Sequence, residues 1–311
     1  MGIDLKTKYL GAMVGSALGD AIGELAFRYT RKEHLCAMMD CVEKLIYTDD
    51  TAMAIGLAES ILQMKGIDPQ HLGDTFNKNF YREPWRGYAS GPPTVFSIVR
   101  RYCISYVEAA KSLFGGAGSM GNGAAMRIAP VGLVFHNSEH LYEEACSSAI
   151  VTHAHPVGMD GGAVQALAIA QGVKLDPQRE FPLETFIKSL MAFARTPEIR
   201  EKMKLVHALI TEDVSPRIAA ERLGRSVAVD ESMPFAIYSF LRYPKSFEEC
   251  LFCSILNGGD RDTLGAMACA ISGAYLGIEA IPRPWHEKLE NRETIENLAS
   301  SLTELYNGAV G

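Results

Sequence analysis

The chain has 311 residues, 48% of them hydrophobic and 22% charged, with 30 Lys and Arg against 37 Asp and Glu and a formal charge of −7. That length and apolar content can bury a large core and exclude disorder. An acidic chain without any Lys/Arg run is also a poor general binder of nucleic acid, although backbone N–H groups can still hold a small anion.

Seven cysteines at irregular spacing are an odd number and make no disulfide framework. Cys250-x-x-Cys253 has no second pair and lies in an apolar stretch, so it reads as two core cysteines rather than a zinc or redox motif. The start, Met1-Gly2-Ile3-Asp4-Leu5-Lys6, carries no signal-peptide apolar region, and no apolar run reaches membrane-spanning length. The expectation is a cytoplasmic protein off the membrane, acting as a monomer.

Residues 8 to 28 place Gly11, Gly15, Gly19 and Gly23 four apart among apolar residues. On a helix these share one face and cost about 1 kcal/mol each relative to Ala, so close approach of another helix or a ligand must offset them. Asp20 and Glu24 share a face at the far end, as a solvated edge or as part of a site. Thr48-Asp49-Asp50 then opens a helix expected over 51 to 64. Adjacent carboxylates there read either as a helix cap or as metal ligands.

Residues 79 to 96 are aromatic and rich in Gly and Pro, which predicts a long loop with a helix starting near Thr94. Phe114 to Arg127 follows, with five glycines in fourteen residues and a helix expected from Ala124, the recipe for cradling phosphate on backbone N–H groups. It is neither a Walker loop nor a dinucleotide fingerprint. His153 and His155 precede a small-residue helix over 158 to 172 and are poor zinc ligands at that spacing; a His orienting a substrate or satisfying the core fits better.

Residues 177 to 229 read as amphipathic helix with little chemistry, and Glu231 to Arg242 as an apolar helix entered through a proline. Asp260-Arg261-Asp262-Thr263 forms a second acidic cluster, ahead of a helix whose Gly265, Cys269, Gly273 and Gly277 repeat the spacing of four. Two small-faced helices pack closely and would carry the second cluster to the first, and oxygen ligands from two helix openings suit Mg²⁺ or Mn²⁺. From Trp285 a charged covering helix completes an all-α chain, read as one domain over 1 to 311.

Several motifs in order resemble the ADP-ribosylglycohydrolase family over nearly the whole length: GDAIGE (19 to 24), YTDDTAMA (47 to 54), GSMGNGAAMR (118 to 127), THAHP (152 to 156) and GGDRDTLGAMACAISGAYLG (258 to 277). RGYASG (86 to 91) and ESMPFAIYSFLR (231 to 242) are most similar to its ADP-ribosylhydrolase 3-like branch. The resemblance implies a single all-α, orthogonal multi-helix domain with a dinuclear Mg²⁺ or Mn²⁺ site at its helix openings. Thr48, Asp49 and Asp50 would hold one ion, Asp262 would bridge, and Asp260 and Thr263 would serve the other. Gly118, Ser119, Met120, Gly121, Asn122 and Gly123 would line the ADP-ribose site, with Phe114 near the adenine and His153 beside the ligand.

The implied activity is hydrolysis of the bond between ADP-ribose and a modified protein side chain or small conjugate, with Asp49, Asp50, Asp262 and Glu24 as catalytic carboxylates. There are three departures. Phe27 stands where the family usually has a Glu, so Glu24 is the nearby substitute. Arg261 fills a slot usually small or neutral, and Met120 replaces a frequent aromatic. The alternative is a relative that binds ADP-ribose, or serves structurally, without turnover.

Overall fold

The glycine spacing of the first helix sets the packing. In the computed structural model, which describes residues 4–310, α1 (Leu5–Ala26) lies antiparallel to α16 (Arg261–Leu276) with almost nothing between the two backbones. A Cβ on Gly11 would stand 2.4 Å from the Gly273 carbonyl oxygen, one on Gly19 2.1 Å from that of Gly265, and one on Gly23 2.4 Å from that of Arg261. The reverse holds too: a Cβ on Gly273 would sit 1.9 Å from the Gly11 oxygen. Dispersion contacts along this seam and the tight burial around it offset the helical propensity lost at the glycines. Met1, Gly2 and Ile3, part of the start that carries no signal-peptide apolar region, lie outside the described residues.

Around this pair the chain adds α2 (Lys32–Cys41), α3 (Asp49–Met64), α4 (Pro69–Arg82), α5 (Gly91–Tyr102) and α6 (Tyr106–Ser112). The glycine-rich loop follows, then α7 (Gly123–Met126), α8 (Ala129–Val134), α9 (Leu141–Ala149) and α10 (Pro156–Lys174). The remainder is α11 (Leu183–Phe193), α12 (Pro197–Thr211), α13 (Pro216–Leu223), α14 (Val229–Arg242), α15 (Phe247–Leu256), α17 (Arg283–Lys288) and α18 (Arg292–Val310). Pairing of extended backbone among the described residues is limited to two isolated bridges, Leu45 with Leu289 and Gly121 with Ala228. The all-α expectation holds.

Helix α10 flanks the central pair and is tied to it by polar contacts. Gln165 Nε2 donates to the Met267 carbonyl at 2.8 Å. The buried Lys8 ammonium donates to the carbonyls of Gly172 and Val173 at 3.1 and 2.9 Å, satisfying the end of α10 where carbonyls lack intrahelical partners. Cys250, Cys253 and Cys269 are buried as core residues. No described helix is long and apolar enough to cross a membrane.

Boundaries shift where proline and capping chemistry decide them. Helix α5 begins at Gly91 rather than Thr94, since Pro92 and Pro93 fit a first helical turn, where their missing N–H groups cost nothing. Helix α4 runs through Arg82, shortening the irregular stretch expected over 79 to 96. Helix α14 starts at Val229 with Pro234 inside it, not at its entrance.

The seam predicts an asymmetric response to one methyl group. Gly19→Ala is expected to lose more than about 3 kcal/mol of unfolding free energy in chemical denaturation, because neither backbone can retreat. Gly66→Ala, at a position with nothing within 4 Å, is expected to be neutral.

Candidate active site

The antiparallel seam sets the last turns of α1 against the first turn of α16, and α3 enters at the same point. The knot is Asp20, fully buried on α1. Its carboxylate accepts from the backbone N–H of Thr48 and of Thr51 at 3.0 Å, and from the Thr48 hydroxyl at 2.9 Å. The Thr51 hydroxyl completes the set. Asp20 therefore binds the entry of α3 from below, and the reading of Asp20 as a solvated edge is wrong.

Helix α3 begins at Asp49, two residues earlier than expected, so both carboxylates sit in its first turn. The N-terminal position is held by Thr48, whose side chain makes no cap; its hydroxyl also contacts Asp50 Oδ2 at 3.1 Å. The simple-cap reading of this motif thus fails. Asp50 Oδ1 is buried with no hydrogen-bond partner.

Asp49 and Asp50 face Asp260 and Asp262 closely enough for each to feel the others. Burial, then the neighbouring Asp20, pushes the Asp49 carboxyl up to about 7. Burial followed by Asp260 and Asp20 pushes Asp262 up to about 8, and Asp50 is driven up by burial and by Asp20 and Asp262. Burial raises Asp20 to about 6 against the pull of its four donor groups. Arg127, itself fully buried, is a cation that pulls against this rise at Asp49.

No group of three or more His, Cys, Asp or Glu side chains among the described residues is assembled so that it could hold a metal ion, so the expected dinuclear cage is not drawn together here. The physical reason is visible in the partners taken instead. Asp260 Oδ2 accepts from Asn122 Nδ2 at 2.7 Å, Asp262 Oδ1 from the N–H of Thr263 at 2.9 Å, and Thr48 turns its hydroxyl to Asp20 and Asp50. The donor chemistry nevertheless fits a hard divalent cation: carboxylate and hydroxyl oxygens, one of them an orphan in a buried place, carrying more negative charge than Arg127 offsets.

A cavity of about 570 Å³ rises from the cluster. Asp49, Asp50, Asp260, Asp262 and Thr263 line its base, and Gly118 through Gly123, Phe114, His153 and His155 line its wall. All of the residues expected to bind the ligand thus border one cavity. The glycine loop offers fewer donors than its composition suggests: the N–H groups of Gly118, Gly121 and Asn122 are spent on Leu113 O, Ser119 Oγ and Val227 O. Those of Ser119 and Met120 have no protein acceptor among the described residues. Phe114 is 69% exposed at a left-handed φ of 53°, strain of order 1 kcal/mol that the loop holds in place at the cavity edge.

His153 is buried, and burial, then Arg127, pushes its imidazole down to about 3, so it stays neutral at ordinary pH. Its Nδ1 lies 2.8 Å from the Thr152 hydroxyl, which accepts from Arg127 Nη2 at 2.8 Å. A Cβ on Gly123 would come within 2.6 Å of its ring. His153 therefore shapes the loop rather than moving a proton. His155 serves as the cap of α10, accepting from Val157 N–H.

The sequence reading missed a strap, Arg225 to Ala228, in the stretch credited with little chemistry. The Val227 carbonyl accepts from Asn122 N–H at 2.9 Å, and the Arg225 carbonyl accepts from Asp260 N–H at 2.9 Å. Gly259, at φ 80°, packs against Arg225 so tightly that a Cβ would lie 2.1 Å from that carbonyl. One strap thus joins the glycine loop to the second acidic cluster. Arg261 points its guanidinium at the Ile255 carbonyl and places no cation among the carboxylates. Glu24 is exposed and lines a different cavity together with Thr48 and Asp262, whereas Phe27 lines neither.

Comparison with known proteins agrees with this architecture. Residues 1–310 match the family model for ADP-ribosylglycohydrolase. The chain is 33% identical to ADP-ribosylhydrolase ARH3 of Xenopus tropicalis over 96% of both chains. It is 32% identical to human ARH3 over 96% of this chain and 94% of that one, and 34% identical to a protein of Archaeoglobus fulgidus over 96% and 95%. A solved structure titled ADP-ribosylglycohydrolase-related protein complex superposes with a TM-score of 0.73 at 24% identity, covering 97% of this chain and 99% of that chain, and shows the same fold.

The raised carboxyls fix the sign of a pH effect. Asp49 and Asp262 hold their protons more tightly folded than unfolded, so the stability they contribute is complete below the ordinary carboxylate range and is lost as pH rises through about 7 and 8. In chelating buffer, the unfolding free energy is expected to fall by a few kcal/mol between about pH 5 and about pH 8.5. Asp262→Asn should flatten that decline; a profile equally steep in the variant would show that Asp262 does not share the cluster's field.

Proposed function

Because the chain belongs to the ADP-ribosylglycohydrolase family, we propose that it is a metal-dependent ADP-ribosylhydrolase, releasing ADP-ribose from a modified protein side chain or a small conjugate. The observation that carries this reading is the cluster of buried, mutually repelling carboxylates, with its orphan Asp50 oxygen, at the base of the glycine-walled cavity. Thr48, Asp49, Asp50, Asp260, Asp262 and Thr263 would hold the two Mg²⁺ or Mn²⁺ ions. Bound there, they would supply Lewis acidity and a water of lowered pKa.

The chain's own groups divide the remaining work. The free N–H groups of Ser119 and Met120 point to the diphosphate as their acceptor, and the exposed Phe114 ring offers a stacking face for the adenine. Asn122 fixes Asp260, and Asp20 fixes the α3 entry, so the carboxylates meet the ribose from a rigid base. In hydrolysis, water adds to the anomeric carbon as the bond to the leaving atom breaks, and a proton passes to that atom. Glu24, which lines the second cavity together with Thr48 and Asp262, would assist that proton movement from outside the ligand cavity.

Phe27, which lines neither cavity, favours one second reading: a relative that binds ADP-ribose without turning it over. The test measures free ADP-ribose released from modified protein with and without Mg²⁺ or Mn²⁺. Metal-dependent release is expected, with Asp262→Asn lowering it by about two orders of magnitude or more, the rate equivalent of several kcal/mol of lost charge stabilisation. Glu24→Gln should lower kcat while leaving ADP-ribose affinity unchanged. Calorimetric binding of ADP-ribose with no release under any metal would establish the second reading.

A further inference from the structure

The acidic cluster is bordered by two cavities. The second, of about 710 Å³, lies on the other side of Gly87 and Asp262, both of which line the two cavities alike. Thr48 borders the second cavity while its neighbours Asp49 and Asp50 border the first. The cluster is therefore a partition with a chamber on each face. If a bond is cut at the partition, one fragment occupies the glycine-walled chamber and the other faces the second.

The second chamber is far larger than a single side chain requires, and its wall carries groups of a different kind. Lys44 and Arg28 line it, and neither takes part in an ion pair among the described residues. At its rim Trp85 is 72% exposed and Ile46 58% exposed. Trp and Arg side chains are among those that dominate protein–protein contact energies. Its floor is held rigid by Arg86, which is buried and bound to Glu83, to Glu290 and to the Tyr47 carbonyl. A preformed floor with an aromatic rim lowers the ordering cost of an extended ligand.

We infer that the second chamber is the leaving-group subsite and takes a polypeptide segment flanking the modified residue, with Trp85 and Ile46 packing on its side chains and Lys44 and Arg28 donating to its main-chain carbonyls. The inference rests on the proposed activity for the identity of the first fragment, and it assigns this chain a protein substrate over a small conjugate.

Calorimetry with ADP-ribose and with a peptide carrying ADP-ribose through an uncleavable thioether tests it, on the full chain with Mg²⁺ present. The peptide conjugate is expected to bind about tenfold tighter than ADP-ribose, a gain of about 1.4 kcal/mol. Trp85→Ala and Lys44→Ala should each remove most of that gain and leave ADP-ribose affinity unchanged; the exposure of Trp85 makes its replacement harmless to folding. With cleavable substrates the same variants should raise KM for the modified peptide and leave kinetics on a conjugate with a small leaving group unaltered. Equal affinity of peptide conjugate and ADP-ribose overturns the inference, as does loss of affinity for both ligands alike in the variants. Absence of ADP-ribose binding to the unaltered protein overturns instead the reading on which it rests.

Discussion

The contact on which everything else depends is the backbone-to-backbone seam between α1 and α16. With glycine at four successive turns of α1, and the backbone of Gly273, Cys269, Gly265 and Arg261 opposite, the helix axes approach until carbonyl oxygens touch the facing chain. Because the helices run antiparallel, that approach fixes the end of α1 against the start of α16, which brings Asp20 near Asp262. A Cβ at Gly11, Gly19 or Gly23 would collide with the facing backbone and lever the two acidic clusters apart. The glycines therefore set the geometry of the chemistry without touching it.

Magnitudes decide what kind of partner such a cluster needs. The N-termini of α3 and α16 each offer a dipole worth about 0.3–1 kcal/mol to a nearby carboxylate. A pair of like charges about 4 Å apart near a protein surface repels by roughly 4 kcal/mol. Helix dipoles are too weak to hold several ionised carboxylates together, which leaves protons or cations. Without cations the carboxyls keep protons well above their ordinary range. Arg127, the cation closest in effect, is pinned by Ser148 and Thr152 and stacked over Phe76, so it braces one side of the cluster rather than neutralising it.

Part of this arrangement is written locally and was legible in the sequence. A small residue every fourth position, in two helices, foretells a close helix pair, and two acidic pairs at helix starts foretell a shared site. The parts that escaped are those whose meaning depends on partners far along the chain. Asp20 looks like any helix-end carboxylate until Thr48 and Thr51, 28 and 31 residues away, close on it. Arg225 to Ala228 is unremarkable by composition, and its role comes from carbonyls accepting from Asn122 and Asp260. No side-chain pattern announces a backbone strap. His153 lines the cavity as a ligand neighbour would, and the spacing of the motif gave no sign that its ring also packs against Gly123 and supports the loop.

The departure at Phe27 gains a spatial meaning from the same geometry. Glu24 and Phe27 are three residues apart, which on a helix leaves them on roughly the same face about 4.5 Å apart along the axis. A carboxylate is thus retained on this face of α1, one turn nearer the seam, while Phe27 at the helix end turns out to solvent. Glu24 reaches the partition from the second chamber, together with Thr48 and Asp262, whereas Asp49 and Asp50 face the first. In the proposed reaction the carboxylates therefore work from opposite sides of the bond, those of the cluster on the ribose and Glu24 on the departing group. The side of approach, more than the residue number, decides which proton a carboxylate on α1 can move.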